Sequence, residues 1–161
     1  MPASEYVQNL RARVGHELVM FPTVSAIVLN DRGEVLLHRR SDNGRWNLIA
    51  GLMDPGEQPA DAVVREVEEE TAVQAKIERL AGVVSHEVTY PNGDHCQMVN
   101  MFFRCRAVGG EARVNDSESL EVGWFPLDAL PGLDRFSRRL LMIALDDDAP
   151  AYFAAPGEPA F

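Results

Sequence analysis

Residues 51–73, GLMDPGEQPADAVVREVEEETAV, constrain this chain more than any other stretch. Pro55-Gly56 marks a turn, and Pro59 suits a first helical turn, where its missing N–H costs nothing. Asp61 places negative charge near the positive end of the helix dipole. The stretch therefore reads as loop, helix, loop. At about 100° per residue, Glu66, Glu69 and Glu70 fall within an arc of roughly 100°. Val63, Val64 and Val67 lie beside that arc and can enter a core, while Glu68 points away. Three carboxylates thus share one patch. Like charges at this spacing repel by roughly 0.2–0.5 kcal/mol per pair. A solvated acidic face tolerates that cost. A hard divalent cation would cancel it, because Mg²⁺ and Mn²⁺ take carboxylate oxygens and are shared with substrate phosphates.

The register of these residues carries more than the charges alone. Gly51, five residues, Glu57, seven residues, then Arg65-Glu66-Val67-x-Glu69-Glu70-x-x-Val73 resembles the Nudix box. Eight of its nine fixed positions are met, and the departure is Ala72, where the family has Gly. The resemblance implies that Glu66, Glu69 and Glu70 are metal ligands, joined by the backbone carbonyl at Ala50. It implies that Glu57 pairs with Arg65 and ties loop to helix. Ala72 must then take a left-handed conformation after the helix, at a cost of about 1 kcal/mol. Ile49-Ala50 stands where many members have Pro-Gly, which loosens the analogy for the substrate loop.

The remaining composition limits what such a site can serve. A chain of 161 residues is long enough for one domain with a full core. Its net charge of −10 and pI near 4.8 argue against a groove for nucleic-acid backbone. An anionic nucleotide can still bind where a metal supplies positive charge. Arginine makes up nearly all of the basic residues, which reads as the bias of a GC-rich bacterial genome. Cys96 and Cys105 lie too far apart along one extended strand to bridge, so a reduced, cytoplasmic setting is expected. No signal peptide or membrane-spanning run is visible.

Taken in order, residues 4–14 suggest a helix capped by Ser4 and ended by Gly15, suited to packing or dimerisation. Residues 19–30 read as a strand in two parts, broken at Pro22. Asp31-Arg32-Gly33 turns the chain into a returning strand, Glu34–Arg40, in a hairpin. Arg39 and Arg40 end that strand and are candidate phosphate contacts; His38 reads as structural. Trp46 opens a short strand, WNLIA, and reads as packing. Residues 74–90 form one or two strands, with Gly82 a candidate bulge. Asn92-Gly93 turns into an apolar strand from Cys96 to Arg106. Tyr90, beside that turn, is a candidate cover for a base or ribose. His86, Glu87 and His95 flank it, but at no defensible zinc spacing.

Residues 115–121, NDSESLE, form an acidic loop that resembles the late Nudix loop. There the family resemblance makes Glu118 and Glu121 candidates for the general base or an extra ligand, with Asp116 third. Residues 126–130 suggest a short helix, and 135–145 a longer one packing across the sheet from the box helix. Residues 146–161 read as a disordered tail unless Tyr152, Phe153 and Phe161 pack. The whole suggests one domain over 1–145, an α/β fold with a mixed β-sheet between helices, an α/β/α sandwich. The implied activity is Mg²⁺- or Mn²⁺-dependent hydrolysis of a nucleoside diphosphate linked to another group, with Glu66 needed for catalysis and Glu69 or a late-loop Glu, Glu118 or Glu121, as base. ADP-ribose or a nucleotide sugar is the first substrate, a nucleoside triphosphate the second. The alternatives are a sensing module that binds nucleotides without cleaving them, an isopentenyl diphosphate isomerase, for which neither Cys sits in a matching motif, and a plain interaction domain. The implied partner is a small nucleotide, with no nucleic acid or membrane, and a homodimer follows family habit only.

Overall fold

A computed structural model describes residues 4–158. The elements run α1 (Glu5–Val14), β1 (Val19–Leu29), β2 (Val35–Arg40), β3 (Trp46–Asn47), β4 (Ile49–Leu52), α2 (Pro59–Thr71), β5 (Val73–Thr89), β6 (His95–Gly110), β7 (Ser119–Phe125) and α3 (Arg135–Leu145). The strands form one mixed sheet in which β1 pairs parallel with β6 and every other pairing is antiparallel. Side chains alternate along β1, and both faces are covered. Val24, Ala26 and Val28 meet Ala62, Val63 and Val67 of α2. Ile27 and Leu29 meet Leu140, Leu141 and Ala144 of α3 on the other face. The result is the α/β/α sandwich, with α2 and α3 on opposite sides.

Several local expectations change. β1 is not broken at Pro22. The Pro22 carbonyl accepts from the Met53 N–H at 3.2 Å, so the missing N–H faces the β4 side, just past Thr23↔Leu52 where that ladder ends. The β1–β2 hairpin pairs only at Leu29↔Val35. Beyond that the strands splay, and residues 46–52 bridge the gap, with β3 on β2 and β4 on β1. WNLIA is therefore two strands, parted where the Leu48 N–H bonds the Asn47 side chain at 2.8 Å. Gly51 lies in β4, not in a loop, and a single residue, Ala72, separates α2 from β5. β5 is one strand with register shifts, one of them between Leu80 and Gly82.

The acidic stretch is only partly a loop, because β7 begins at Ser119 and takes Glu121 into the sheet beside Arg39. Residues 126–130 turn without forming a helix. Residues after α3 are tied to the sheet: the Tyr152 N–H bonds Ala81 O at 2.9 Å and the Val83 N–H bonds Tyr152 O at 2.8 Å. Phe153 does not pack, at 74% exposed, and Phe161 lies outside the described residues. Cys96 and Cys105 are both free and buried. Among the described residues no helix is long and apolar enough to cross a membrane.

Candidate active site

Arg65 organises the site. Its Nε and Nη2 grip the two Glu57 oxygens at 2.7 and 3.0 Å, a bidentate pair that pins the turn before α2. Its Nη2 also reaches Leu52 O at 3.2 Å, tying α2 to β4. Its Nη1 donates to Glu66 at 2.8 Å and Glu69 at 3.0 Å. The Arg65 guanidinium holds the Glu57 carboxyl below the usual carboxylate range. Glu66 is buried against Gly51, where any Cβ would overlap its carboxylate. The glycine that opens the box is thus a cradle for the acid 15 positions later. Burial raises the Glu66 pKa against the pull of Arg65.

Glu70 turns the other way, into the protein. It is 2% exposed, and its Oε2 lies 3.3 Å from Nδ1 of His38, itself 2% exposed. Burial first, then the charges of Glu66 and Asp116, push Glu70 up to about 9. Burial pushes His38 down to about 4, and its Nδ1 also meets Ser119 Oγ at 2.9 Å. The two groups therefore face each other uncharged at neutral pH. Asp116 arrives because its segment is laced to the end of α2: Arg113 N–H to Thr71 O at 3.0 Å, and the Asn115 side chain to Glu68 O at 3.1 Å. Glu70 Oε2 and Asp116 Oδ2 are both buried without a hydrogen-bond partner.

The expectation that three carboxylates converge is corrected in detail. They share a helix face, but among the described residues no three acids or histidines gather as a ready metal cage. Glu66 and Glu69 lean on Arg65 while Glu70 is turned inward. The donor set still suits a hard cation, because Glu70 is buried with no positive charge in contact and keeps an unpartnered oxygen.

A cleft of about 360 Å³ opens beside Gly51 and Glu66. Ala50, Arg40, Tyr90 and Glu118 line it. Arg39 and Glu121, expected at the site, do not; they bond each other across β2 and β7 at 2.6 Å. Arg40 keeps its fork on Asp42, at 2.9 and 2.7 Å. Trp46 packs edge-on to Phe125, with ring centroids 4.7 Å apart. His86 stacks on Phe136 and His95 meets Glu87 at 3.2 Å, so the three flanking residues form no joint site.

Sequence reasoning missed the partner of Glu70 and the far end of the cleft. His38 sits in an apolar strand pattern, and only its pairing with β7 reveals its neighbours. Phe21, Cys96 and Met98 at the cleft floor read simply as core residues.

A mixed sheet between two helices, with the box running through β4 and across the face of β1 in α2, is the fold shared with solved MutT and NUDIX hydrolase structures. The family model of the NUDIX domain matches residues 20–143, and the chain belongs to that family. It is 37% identical to a MutT-like protein of Streptomyces ambofaciens over 66% of this chain and 64% of that one. It is 31% identical to an ADP-ribose pyrophosphatase of Methanocaldococcus jannaschii, over 73% of this chain and 70% of that one. The crystal structure of a MutT NUDIX hydrolase from Burkholderia pseudomallei superposes with a TM-score of 0.63 at 34% identity, covering 77% of this chain and 97% of that one.

Proposed function

We propose that this chain is a divalent-metal-dependent pyrophosphohydrolase of nucleoside diphosphate derivatives, with ADP-ribose or a nucleotide sugar as first substrate and a nucleoside triphosphate as second. The observation that carries the reading is the Glu66 carboxylate seated on Gly51 at the cleft, with Glu69 and Glu70 on the same helix face. Glu66, Glu69, Glu70 and the Ala50 carbonyl are the groups to hold Mg²⁺ or Mn²⁺. A cation held by these groups would supply positive charge against the diphosphate and a lowered pKa for a nearby water. Arg65 fixes the carboxylates that face it, and Arg40 offers a guanidinium to phosphate oxygens. Glu118 lines the cleft, as Glu121 does not, and is therefore the better candidate to accept the proton from water.

An ADP-ribose pyrophosphatase at 31% identity and a putative 8-oxo-dGTP diphosphatase at 33% both stand among the relatives, so each of the two substrate classes has one behind it. Glu66→Gln is expected to lower kcat by at least about 100-fold while the melting temperature holds, because it removes a charge and not volume. Steady-state kinetics with ADP-ribose, paired with calorimetric melting, reads both. A variant with near-wild-type turnover would remove Glu66 from the site.

A further inference from the structure

The cleft does not end at the box. Its far end is walled by α1, through Val7 and Arg11, and floored by Phe21, Cys96 and Met98. Residues 5–14 lie outside the 20–143 stretch that the family model matches, so this wall comes from beyond the matched domain. α1 is thinly anchored, with Val7 its single buried residue among those described. Arg11 fastens it to the β6 end of the sheet. Its Nη2 donates to His95 O and to Cys96 Sγ, each at 2.9 Å, and its Nη1 to Glu17 O at 2.7 Å. Its guanidinium carbon stands 5.8 Å from the centre of the Phe21 ring. An apolar floor, with Tyr90, Asn92 and Asp94 at the rim, suits a flat heterocycle whose edge carries donors and acceptors.

We infer that α1 is the nucleoside-binding wall of the cleft and that Arg11 is the positioning residue that sets it. This rests on the hydrolase reading for the orientation of the diphosphate toward Glu66, while the wall itself rests on the cleft. A volume of about 360 Å³ lies near the small end of the roughly 300–1,000 Å³ typical of ligand pockets. Displacing α1 therefore opens the end of a small cleft that Val7 and Arg11 line. It leaves the carboxylate end, built by β4 and α2, as it is.

The test measures equilibrium binding of AMP, GMP, UMP and inorganic pyrophosphate, with Mg²⁺, to the full chain and to two variants. Arg11→Ala frees the wall, and Val7→Trp adds bulk at the cleft end while keeping the Arg11 side chain. Both are expected to weaken binding of at least one nucleoside monophosphate by about tenfold and to leave pyrophosphate binding within about twofold. Wild-type affinity for all three monophosphates in either variant would overturn the proposal. So would an equal loss of pyrophosphate binding, which would mean that α1 acts through the fold. Hydrolysis of ADP-ribose by the wild type is followed in parallel. Cleavage with unchanged variants sinks this proposal and spares the hydrolase reading. α1-dependent binding without cleavage of any nucleotide does the reverse. Absence of both binding and cleavage in the wild type removes both.

Discussion

Glu70 shows how far a single carboxylate can depart from its ordinary state. It is buried, faces a neutral histidine, and keeps its proton to about pH 9. The unfolded chain gives that proton up near pH 4.5. A raised pKa means that its stabilising effect is complete below about 4.5 and is lost as pH rises through about 9. His38 works at the acid side: its depressed pKa gives stability above about 6.5 that is lost as pH falls through about 4. Metal-free protein should therefore lose urea resistance as pH climbs above neutrality, and Glu70→Gln should flatten that slope. An unchanged slope in the variant would contradict the burial account. Ala72 is the second exceptional residue, at φ 58°, the one non-glycine with positive φ among those described. Its N–H closes α2 on Glu68 O at 2.9 Å. Ala72→Gly should stabilise the fold by about 1 kcal/mol, a rise of about 2–4 °C in Tm readable by calorimetry. This position was legible in the sequence, because the box demands a left-handed residue there and only the side chain departs.

At the scale of elements, Arg65 joins three of them: the turn at Glu57, the end of β4 at Leu52, and α2 itself. Lysine carries the charge but cannot fork onto both Glu57 oxygens. Arg65→Lys should lower stability by about 1 kcal/mol, a modest figure because the pair is partly exposed and solvent screens it. It should also loosen the Glu57 turn, read as faster amide exchange at Asp54 and Glu57. Unchanged exchange and stability would show that a point charge suffices. The α2 register and the apolar strands were readable because each depends on local spacing, and the Arg65–Glu57 pair because the family resemblance implies it. Continuity through Pro22, the splayed β1–β2 pair and the entry of Glu121 into β7 were not. Each is decided by which strand lies alongside, and the neighbour comes from far along the chain. Arg39 illustrates the cost of that: adjacent to Arg40 in sequence, it faces Glu121 across the sheet and leaves the cleft to its neighbour.

At the scale of the molecule, the proposed function asks an acidic chain of net charge −10 to bind an anion. The cleft meets this with Arg40 and Arg65 near its acidic end and, on the present account, with a divalent cation. The class of chemistry was written in 23 residues of sequence, Gly51 to Val73. The substrate was not: on the present proposal its far end meets α1 and the β5–β6 turn, whose cleft-lining residues carry no shared spacing. The most direct measurement is a hydrolysis panel. The protein is incubated with Mg²⁺ or Mn²⁺ and with ADP-ribose, nucleotide sugars, dinucleoside polyphosphates and each nucleoside triphosphate, and release of nucleoside monophosphate and phosphate is followed. Cleavage of a diphosphate-linked nucleoside well above the rest, abolished by EDTA and by Glu66→Gln, is the expected result. Failure to cleave any of them, in protein that still binds the metal, would contradict the hydrolase account and leave a module that recognises nucleotides without breaking them.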